Sequence, residues 1–154
     1  MGMTEGDKAP ALDLPTDDGG RFDLATAGPT VVFFYPKADT PGCTNEAIDF
    51  SRLKPELEAA GVAVIGVSRD PAKKLAKFRA KHGLTVLLGS DEDGAVTDRW
   101  GVWVEKQLYG RTYMGVERAT ALIGADGRLL KVWRKVSVKG HADEVLAAAK
   151  ASRA

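Results

Sequence analysis

The chain of 154 residues contains a single cysteine, Cys43, and its surroundings favour a reactive thiol. An apolar run, Val31–Tyr35, comes before it and is typical of a buried strand. A helical repeat of apolar residues follows it, so the thiol is predicted in the first turn of a helix. That turn offers unpaired N–H groups and the positive end of the helix dipole, which favour a thiolate over a thiol. The pattern therefore predicts nucleophilic or redox chemistry at Cys43 rather than a small buried apolar side chain.

The residues just before Cys43 have the types that start a helix and hold a ligand. Thr40 is suited to the N-cap and Pro41 to the first helical position, where a missing N–H costs nothing. The Thr40 hydroxyl and the backbone N–H groups around Gly42 supply donors for a substrate beside the sulfur. A cation from elsewhere in the chain would complete such a site.

The stretch Phe34–Ala47 resembles the peroxidatic motif of peroxiredoxins. Pro36, Thr40 and Cys43 fall at the Pro-x-x-x-Thr-x-x-Cys spacing. The stretch is most similar to the peroxiredoxin Q subfamily, also called bacterioferritin comigratory proteins. The likeness covers nearly the whole chain, including residues 6–10, 64–71 and 109–123.

The resemblance implies a role for each of five residues. Cys43 would be the peroxidatic nucleophile, and Thr40 would hydrogen-bond the peroxide and the sulfur. Arg118 would stabilise the thiolate and the transition state, while Pro36 would shield the thiolate from bulk water. Glu46 would hold Arg118, although a solvated helix residue is an equally open interpretation of that carboxylate.

The chain departs from many members of the subfamily because it lacks a resolving cysteine. Ile48 stands where some members carry it, and residues 77–81 contain none where others do. The resemblance therefore implies a one-cysteine peroxidase that reduces hydrogen peroxide and organic hydroperoxides through a sulfenic acid on Cys43. An external thiol (thioredoxin, glutaredoxin or a low-molecular-weight thiol) would regenerate it, or Cys43 of a second copy would form an intermolecular disulfide.

Two other functions stay open at this point. The first is a redox sensor or signalling protein whose oxidised Cys43 forms mixed disulfides with partners. The second is a binding protein of the same fold without catalysis.

Composition narrows the remaining possibilities. Twenty-two basic and 21 acidic residues give a net charge of +1, which favours neither nucleic acid nor membrane as a partner. A lone cysteine and the lack of a signal peptide or apolar span predict a cytoplasmic location. We expect one domain over residues 1–154, with 1–9 mobile, as a monomer or weak homodimer. We expect no cofactor and no metal, because His82 and His141 lack ligands at metal-binding spacing.

Hydrophobic patterning predicts an α/β protein. Strands alternate with helices, an N-terminal β-hairpin comes first, and a second hairpin and a closing helix come last. Pro55 predicts a kink or a restart in the helix that carries Cys43. This order agrees with the thioredoxin-like fold that the resemblance implies, a mixed central sheet with helices on both faces. The elements are predicted at residues 11–14, 21–24, 31–35, 40–60, 62–67, 71–82, 86–88, 95–100, 119–123, 129–133 and 142–152.

Overall fold

The computed structural model describes residues 2–153, and it shows nine strands and five helices within that range. The strands are β1 (Asp13–Pro15), β2 (Arg21–Asp23), β3 (Thr30–Phe34), β4 (Ala63–Ser68), β5 (Leu87–Ser90), β6 (Trp103–Leu108), β7 (Arg111–Val116), β8 (Ala119–Ile123) and β9 (Leu129–Trp133). The helices are α1 (Leu24–Ala27), α2 (Pro41–Ala59), α3 (Ala72–His82), α4 (Ala95–Arg99) and α5 (His141–Arg153).

A mixed sheet of five strands forms the centre, in the order β5-β4-β3-β8-β9. The first three of these strands run parallel, and β8 and β9 each run antiparallel to their neighbour. All five residues of β3 are buried because the chain covers both faces of the sheet. The predicted fold class and N-terminal hairpin are confirmed, the hairpin being the antiparallel pair β1–β2.

The two faces of the sheet pack separate apolar clusters, as alternation along a strand requires. Helices α2, α3 and α5 cover one face, where Cys43 lies in the same cluster as Phe33, Phe50 and Phe78. The N-terminal hairpin and α4 cover the other face, together with the fully buried Trp100.

Helix α2 continues through Pro55 as one helix, so of the two predicted outcomes the restart is wrong and the kink stays a prediction. Proline lacks the N–H that would bond the carbonyl of Ser51. That carbonyl accepts a hydrogen bond from the Thr85 hydroxyl at 3.2 Å instead. The lost helical bond is thus replaced from a neighbouring loop, and the helix need not break.

The hairpin β6–β7 and the four-residue helix α1 were not predicted. The hairpin forms a separate two-stranded sheet, joined by the two residues Tyr109 and Gly110, which have φ angles of 50° and 76°. Positive φ at both positions is the requirement of the tight hairpin turn that Asn-Gly usually fills. Tyr-Gly is a weak sequence signal for that turn, and the mostly exposed strands lack apolar alternation.

The N-terminal segment lies against β9 rather than apart from the fold. The N–H of Gly6 donates to the carbonyl of Leu129 at 2.8 Å, and Lys8 forms a bridge with Arg128. Met1 lies outside the described residues. The mobility of residues 1–9 and the single-domain organisation stay predictions.

Candidate active site

The sulfur of Cys43 lies where the sequence placed it, in the first turn of α2 directly after the carboxyl end of β3. Thr40 occupies the N-cap with an extended backbone, and Pro41 begins the helix, as predicted. Cys43 is only 1% exposed. The site therefore suits a small substrate that reaches a thiol from which bulk water is largely excluded.

The Thr40 hydroxyl differs from the expected capping geometry. It makes no side-chain cap bond to the helix and donates to the carbonyl of Lys37 at 2.8 Å. A hydroxyl has one proton to donate and two lone pairs. With its proton directed to Lys37, Thr40 keeps lone pairs available to accept a hydrogen bond from a ligand.

Strand pairing brings Arg118 to the sulfur from 75 residues away in the sequence. The register of the antiparallel β3–β8 pair sets Ala119 opposite Phe34, so Arg118 falls at the end of β3 where α2 begins. Its Nη2 lies 3.4 Å from Cys43 Sγ. At an effective dielectric constant of about 20, unit charges at such a distance attract by roughly 5 kcal/mol before desolvation is subtracted. A cation therefore lies in direct contact with the sulfur.

Gly42 makes this approach of the guanidinium possible, which the sequence reading did not recognise. A Cβ atom at position 42 would lie 3.1 Å from Arg118 Nη2, closer than ordinary van der Waals contact. A side chain there would press on the guanidinium that faces the sulfur. Gly42 thus leaves room for the guanidinium beside the sulfur, in addition to its place in the first turn of the helix.

Glu46 holds the other side of the guanidinium. Its Oε1 accepts from Arg118 Nη1 at 2.8 Å, and the residue is 1% exposed. Burial raises the pKa of Glu46 to about 7, although the charge and hydrogen bond of Arg118 pull it down. The second oxygen, Oε2, is buried and finds no hydrogen-bond partner among residues 2–153. The solvated alternative is wrong, because Glu46 is buried and bonded to Arg118; its role in holding that residue stays a prediction.

The charge of Arg118 is secured by its two neighbours. Burial disfavours the charged form, but Cys43 and Glu46 outweigh it and raise the pKa of the guanidinium. The guanidinium therefore stays cationic while it spans the thiol and the carboxylate.

The loop of residues 36–40 is fixed by side chains that the sequence did not single out for the site. The N–H of Ala38 donates to Asp70 Oδ2 at 2.8 Å. Asp39 has a φ of 63°, and its carboxylate bonds Lys81 at 2.9 Å and His82 at 2.8 Å, both on α3. These bonds lower the pKa of Asp39, the His82 bond first and the Lys81 bond second. The loop that carries Thr40 is therefore tied to two neighbouring elements.

Pro36 and the other sequence candidates take simpler places. Pro36 follows β3 after one residue, Tyr35, and is half-buried, in the loop just described. His141 is buried and bonds the Thr120 hydroxyl at 2.8 Å, and Arg69 covers the Trp103 ring at 3.4 Å from its centroid. Ile48, at the position where some members of the subfamily carry a resolving cysteine, is 40% exposed.

Residues 2–153 also show neither a metal-binding cluster nor a membrane-spanning helix. No group of three or more His, Cys, Asp or Glu residues in this range is arranged to hold a metal ion. Within the same range, none of the helices combines the length and apolarity needed to cross a membrane.

A thiol in contact with a guanidinium, at a strand-to-helix junction of a mixed sheet, has the groups that a thiol-dependent peroxidase needs. The AhpC/TSA family model matches residues 5–132. Peroxiredoxin Bcp of Xanthomonas campestris is 49% identical over 147 residues, covering 93% of this chain and 92% of its own length. Peroxiredoxin Bcp of Escherichia coli K12 is 43% identical over 146 residues, covering 94% of each chain.

Solved structures agree with these relatives. A Xanthomonas campestris bacterioferritin comigratory protein, studied for alkyl peroxide reduction, superposes with a TM-score of 0.87 at 43% identity, covering 93% of this chain and 92% of that one. A cysteine-to-serine mutant of Xylella fastidiosa PrxQ gives a TM-score of 0.93 at 37% identity, covering 100% and 99%. The chain belongs to the AhpC/TSA family and is a peroxiredoxin of the Bcp/PrxQ type, with one cysteine.

Proposed function

We propose that the protein reduces hydrogen peroxide and organic hydroperoxides, with Cys43 as the nucleophile and an external thiol as the reductant. The observation that carries this proposal is the Arg118 guanidinium, which contacts Cys43 Sγ and Glu46 Oε1 at once. The Xanthomonas relative that was studied for alkyl peroxide reduction supports the organic substrates.

In the oxidative step, the thiolate attacks the terminal oxygen of the peroxide. A sulfur–oxygen bond forms, the oxygen–oxygen bond breaks, and the alkoxide or hydroxide that leaves takes up a proton. Cys43 is thereby oxidised to a sulfenic acid while the peroxide is reduced to an alcohol or water. Negative charge moves from sulfur to the leaving oxygen, and Arg118 is positioned to stabilise it along that path.

The remaining residues orient and shield the reactants. Thr40 accepts a hydrogen bond from the peroxide with the lone pairs that its bond to Lys37 leaves available. Glu46 keeps the guanidinium aimed at the sulfur, and Pro36 limits the access of water to the thiolate. Oriented groups of this kind raise rates by holding the reacting atoms at attack distance.

Regeneration needs a thiol from outside the chain, because Cys43 is the only cysteine. Solved Xanthomonas PrxQ structures include mutants at two different cysteines, so that relative has a second thiol that this chain lacks. We place the protein in the cytoplasm, where reduced thiols are in steady supply. The monomer or weak homodimer stays a prediction.

Replacement of Cys43 by serine tests the proposal directly. We expect Cys43→Ser to abolish peroxide consumption, because a serine hydroxyl is not ionised at neutral pH. Thr44→Ser is a matched control, since it changes the neighbouring residue by one methyl group. Peroxide consumption is measured with excess thiol; turnover by the Cys43→Ser protein would overturn the mechanism.

A further inference from the structure

The loop that carries Thr40 meets a largely buried carboxylate at one end of the central sheet. Strands β3 and β4 are parallel neighbours, with Phe34 opposite Val67, so the segments that follow their carboxyl ends lie side by side. Asp70 comes two residues after the end of β4, and its Oδ2 accepts from the N–H of Ala38 at 2.8 Å. Strand pairing thus brings this aspartate to the loop from 32 residues away in the sequence.

Asp70 is held at several points, so its acceptor oxygen has a fixed position. Its side chain is 10% exposed, and Oδ1 lies 3.4 Å from Lys74 Nζ. Oδ2 accepts a second hydrogen bond, from the Ser68 hydroxyl at 2.8 Å. The carbonyl of Asp70 accepts from the Ser90 hydroxyl at 2.7 Å. A residue locked in this way can hold another group in a defined geometry.

The N–H of Ala38 and the carbonyl of Lys37 belong to one peptide unit. This unit is trans and planar, so its N–H and its carbonyl point in opposite directions and cannot turn independently. The N–H donates to Asp70, and the carbonyl accepts from the Thr40 hydroxyl at 2.8 Å. Hydrogen bonds in such a chain polarise one another, so the carboxylate strengthens the bond at the far end. Asp70 thereby fixes the direction of the carbonyl that takes the Thr40 proton.

Thr40 does not use its hydroxyl in the ordinary way of an N-cap residue. A threonine at the N-cap usually accepts from an N–H of the first helical turn. Thr40 makes no such bond to α2, and its one proton goes to Lys37. The hydroxyl therefore stays available to accept from a ligand at the start of the helix, three residues before Cys43.

We propose that Asp70 is a positioning residue of the oxidative step, which holds the Thr40 proton on Lys37 through the peptide unit 37–38; this rests on the peroxidase function proposed above. Thr40 then meets the peroxide only as an acceptor. A peptide unit released from Asp70 can turn, and the Thr40 proton can then bond the thiolate. Such a bond draws charge away from the attacking sulfur and slows its attack. Asp70 thus acts on the reaction through Thr40.

The first test removes the carboxylate and then restores its shape. Asp70→Ala leaves the N–H of Ala38 without this acceptor, and we expect hydrogen peroxide to oxidise Cys43 about tenfold more slowly. Asp70→Asn keeps an oxygen that can accept from Ala38 but loses the charge. Its rate should recover to within about threefold of the native rate. The rates are measured by stopped-flow fluorescence, and a native rate for Asp70→Ala would overturn the positioning role.

A double-mutant cycle with Thr40 separates positioning from a merely structural role. Thr40→Val keeps the shape of the side chain and removes the hydroxyl, so the Lys37 carbonyl has no proton to direct. In that background Asp70→Ala should change the oxidation rate by less than about twofold. The smaller effect of Asp70→Asn, which retains an acceptor for the loop, should vanish there too. An equal loss in both backgrounds would overturn the proposal, because Asp70 would then act independently of Thr40.

Asp91→Ala is the matched control. Asp91 is also buried, and it accepts from two backbone N–H groups, those of Val96 and Thr97, at the start of α4. Its loss should lower the free energy of unfolding without slowing oxidation of Cys43. Equal slowing by Asp91→Ala and Asp70→Ala would overturn the proposal, because it would indicate general destabilisation. Failure of hydrogen peroxide to oxidise the native protein would instead overturn the proposed function, and the positioning role with it.

Discussion

Two regions of the molecule, which we call the α2 wall and the hairpin wall, differ in how firmly the chain holds them. The α2 wall, residues 36–46, is tied to Asp70 and to α3, and its Cys43 is 1% exposed. The hairpin wall, β6–β7, is a separate two-stranded sheet with an open cavity and a tip residue that is 95% exposed.

The difference separates two demands on the enzyme. Attack on a peroxide needs the sulfur, guanidinium and hydroxyl held within a fraction of an ångström, and a wall tied at several points can hold them so. Contact with varied partners needs accessible groups, which an exposed hairpin provides. We expect substitutions in the α2 wall to change the oxidative step and substitutions in the hairpin wall to change selectivity among reductants.

The largest effect is expected for Arg118, where the two walls meet. Arg118→Leu should slow oxidation of Cys43 by hydrogen peroxide about 100- to 1,000-fold, because it removes the donor to the charge that develops on oxygen. The oxidation rate of Arg118→Lys should lie between those of the native protein and Arg118→Leu. Lysine keeps the positive charge but lacks the forked guanidinium that contacts both Cys43 and Glu46. The rate is measured by stopped-flow fluorescence. Arg128→Leu is the control, and a loss of less than tenfold for Arg118→Leu would contradict the assignment.

A pH-dependent effect is expected for Glu46. Its pKa is about 7 in the folded protein against an ordinary value of 4.5, so the folded state binds this proton more tightly than the unfolded state. The contribution of Glu46 to stability is complete below pH 4.5 and is lost as the pH rises through 7. Glu46→Gln lacks this loss. As the pH rises from 4.5 to above 7, the free energy of unfolding of the native protein should therefore fall by about 3 kcal/mol relative to that of the variant.

The same substitution separates the ionised from the protonated carboxylate in catalysis. At about pH 8 Glu46→Gln should oxidise roughly tenfold more slowly, because the ionic anchor of Arg118 is gone; at about pH 6 the gap should shrink, since the native carboxyl is then protonated too. Denaturant unfolding and stopped-flow oxidation across pH measure the two effects. Glu58→Gln, an exposed position on α2, is the control; a gap that stays constant across pH would contradict the prediction.

The α2 wall could be predicted from the sequence far better than the hairpin wall. The strand, the cap and the position of Cys43 depend on local residue types, and Arg118 was found through resemblance because its place depends on strand register. The Ala38–Asp70 and Asp39–Lys81 bonds join segments 32 and 42 residues apart, which no local pattern encodes. The hairpin was missed because its exposed strands need no apolar alternation and Tyr109 fills a turn position that Asn usually takes.

The smallest effect is expected for Asp39, and it tests whether the ties of the α2 wall matter to the chemistry. Asp39→Asn removes the charge that bonds Lys81 and His82, but Asn tolerates a φ of 63° well, so the backbone is not strained by the change. We expect oxidation by hydrogen peroxide to slow about two- to threefold, since Thr40 follows in the same loop. The deficit should be the same for anionic and neutral thiols.

The contribution of Asp39 to the free energy of unfolding should also depend on pH. The pKa of this carboxyl is lower in the folded protein than in the unfolded chain. Its stabilising contribution is therefore complete at a pH above the unfolded-state pKa, and it is lost as the pH falls through the folded-state pKa. Asp126→Asn, an exposed aspartate at the far end of β8, is the control. A change in thiol selectivity on Asp39→Asn would show that the two walls are coupled, and the division of labour between them would then be wrong.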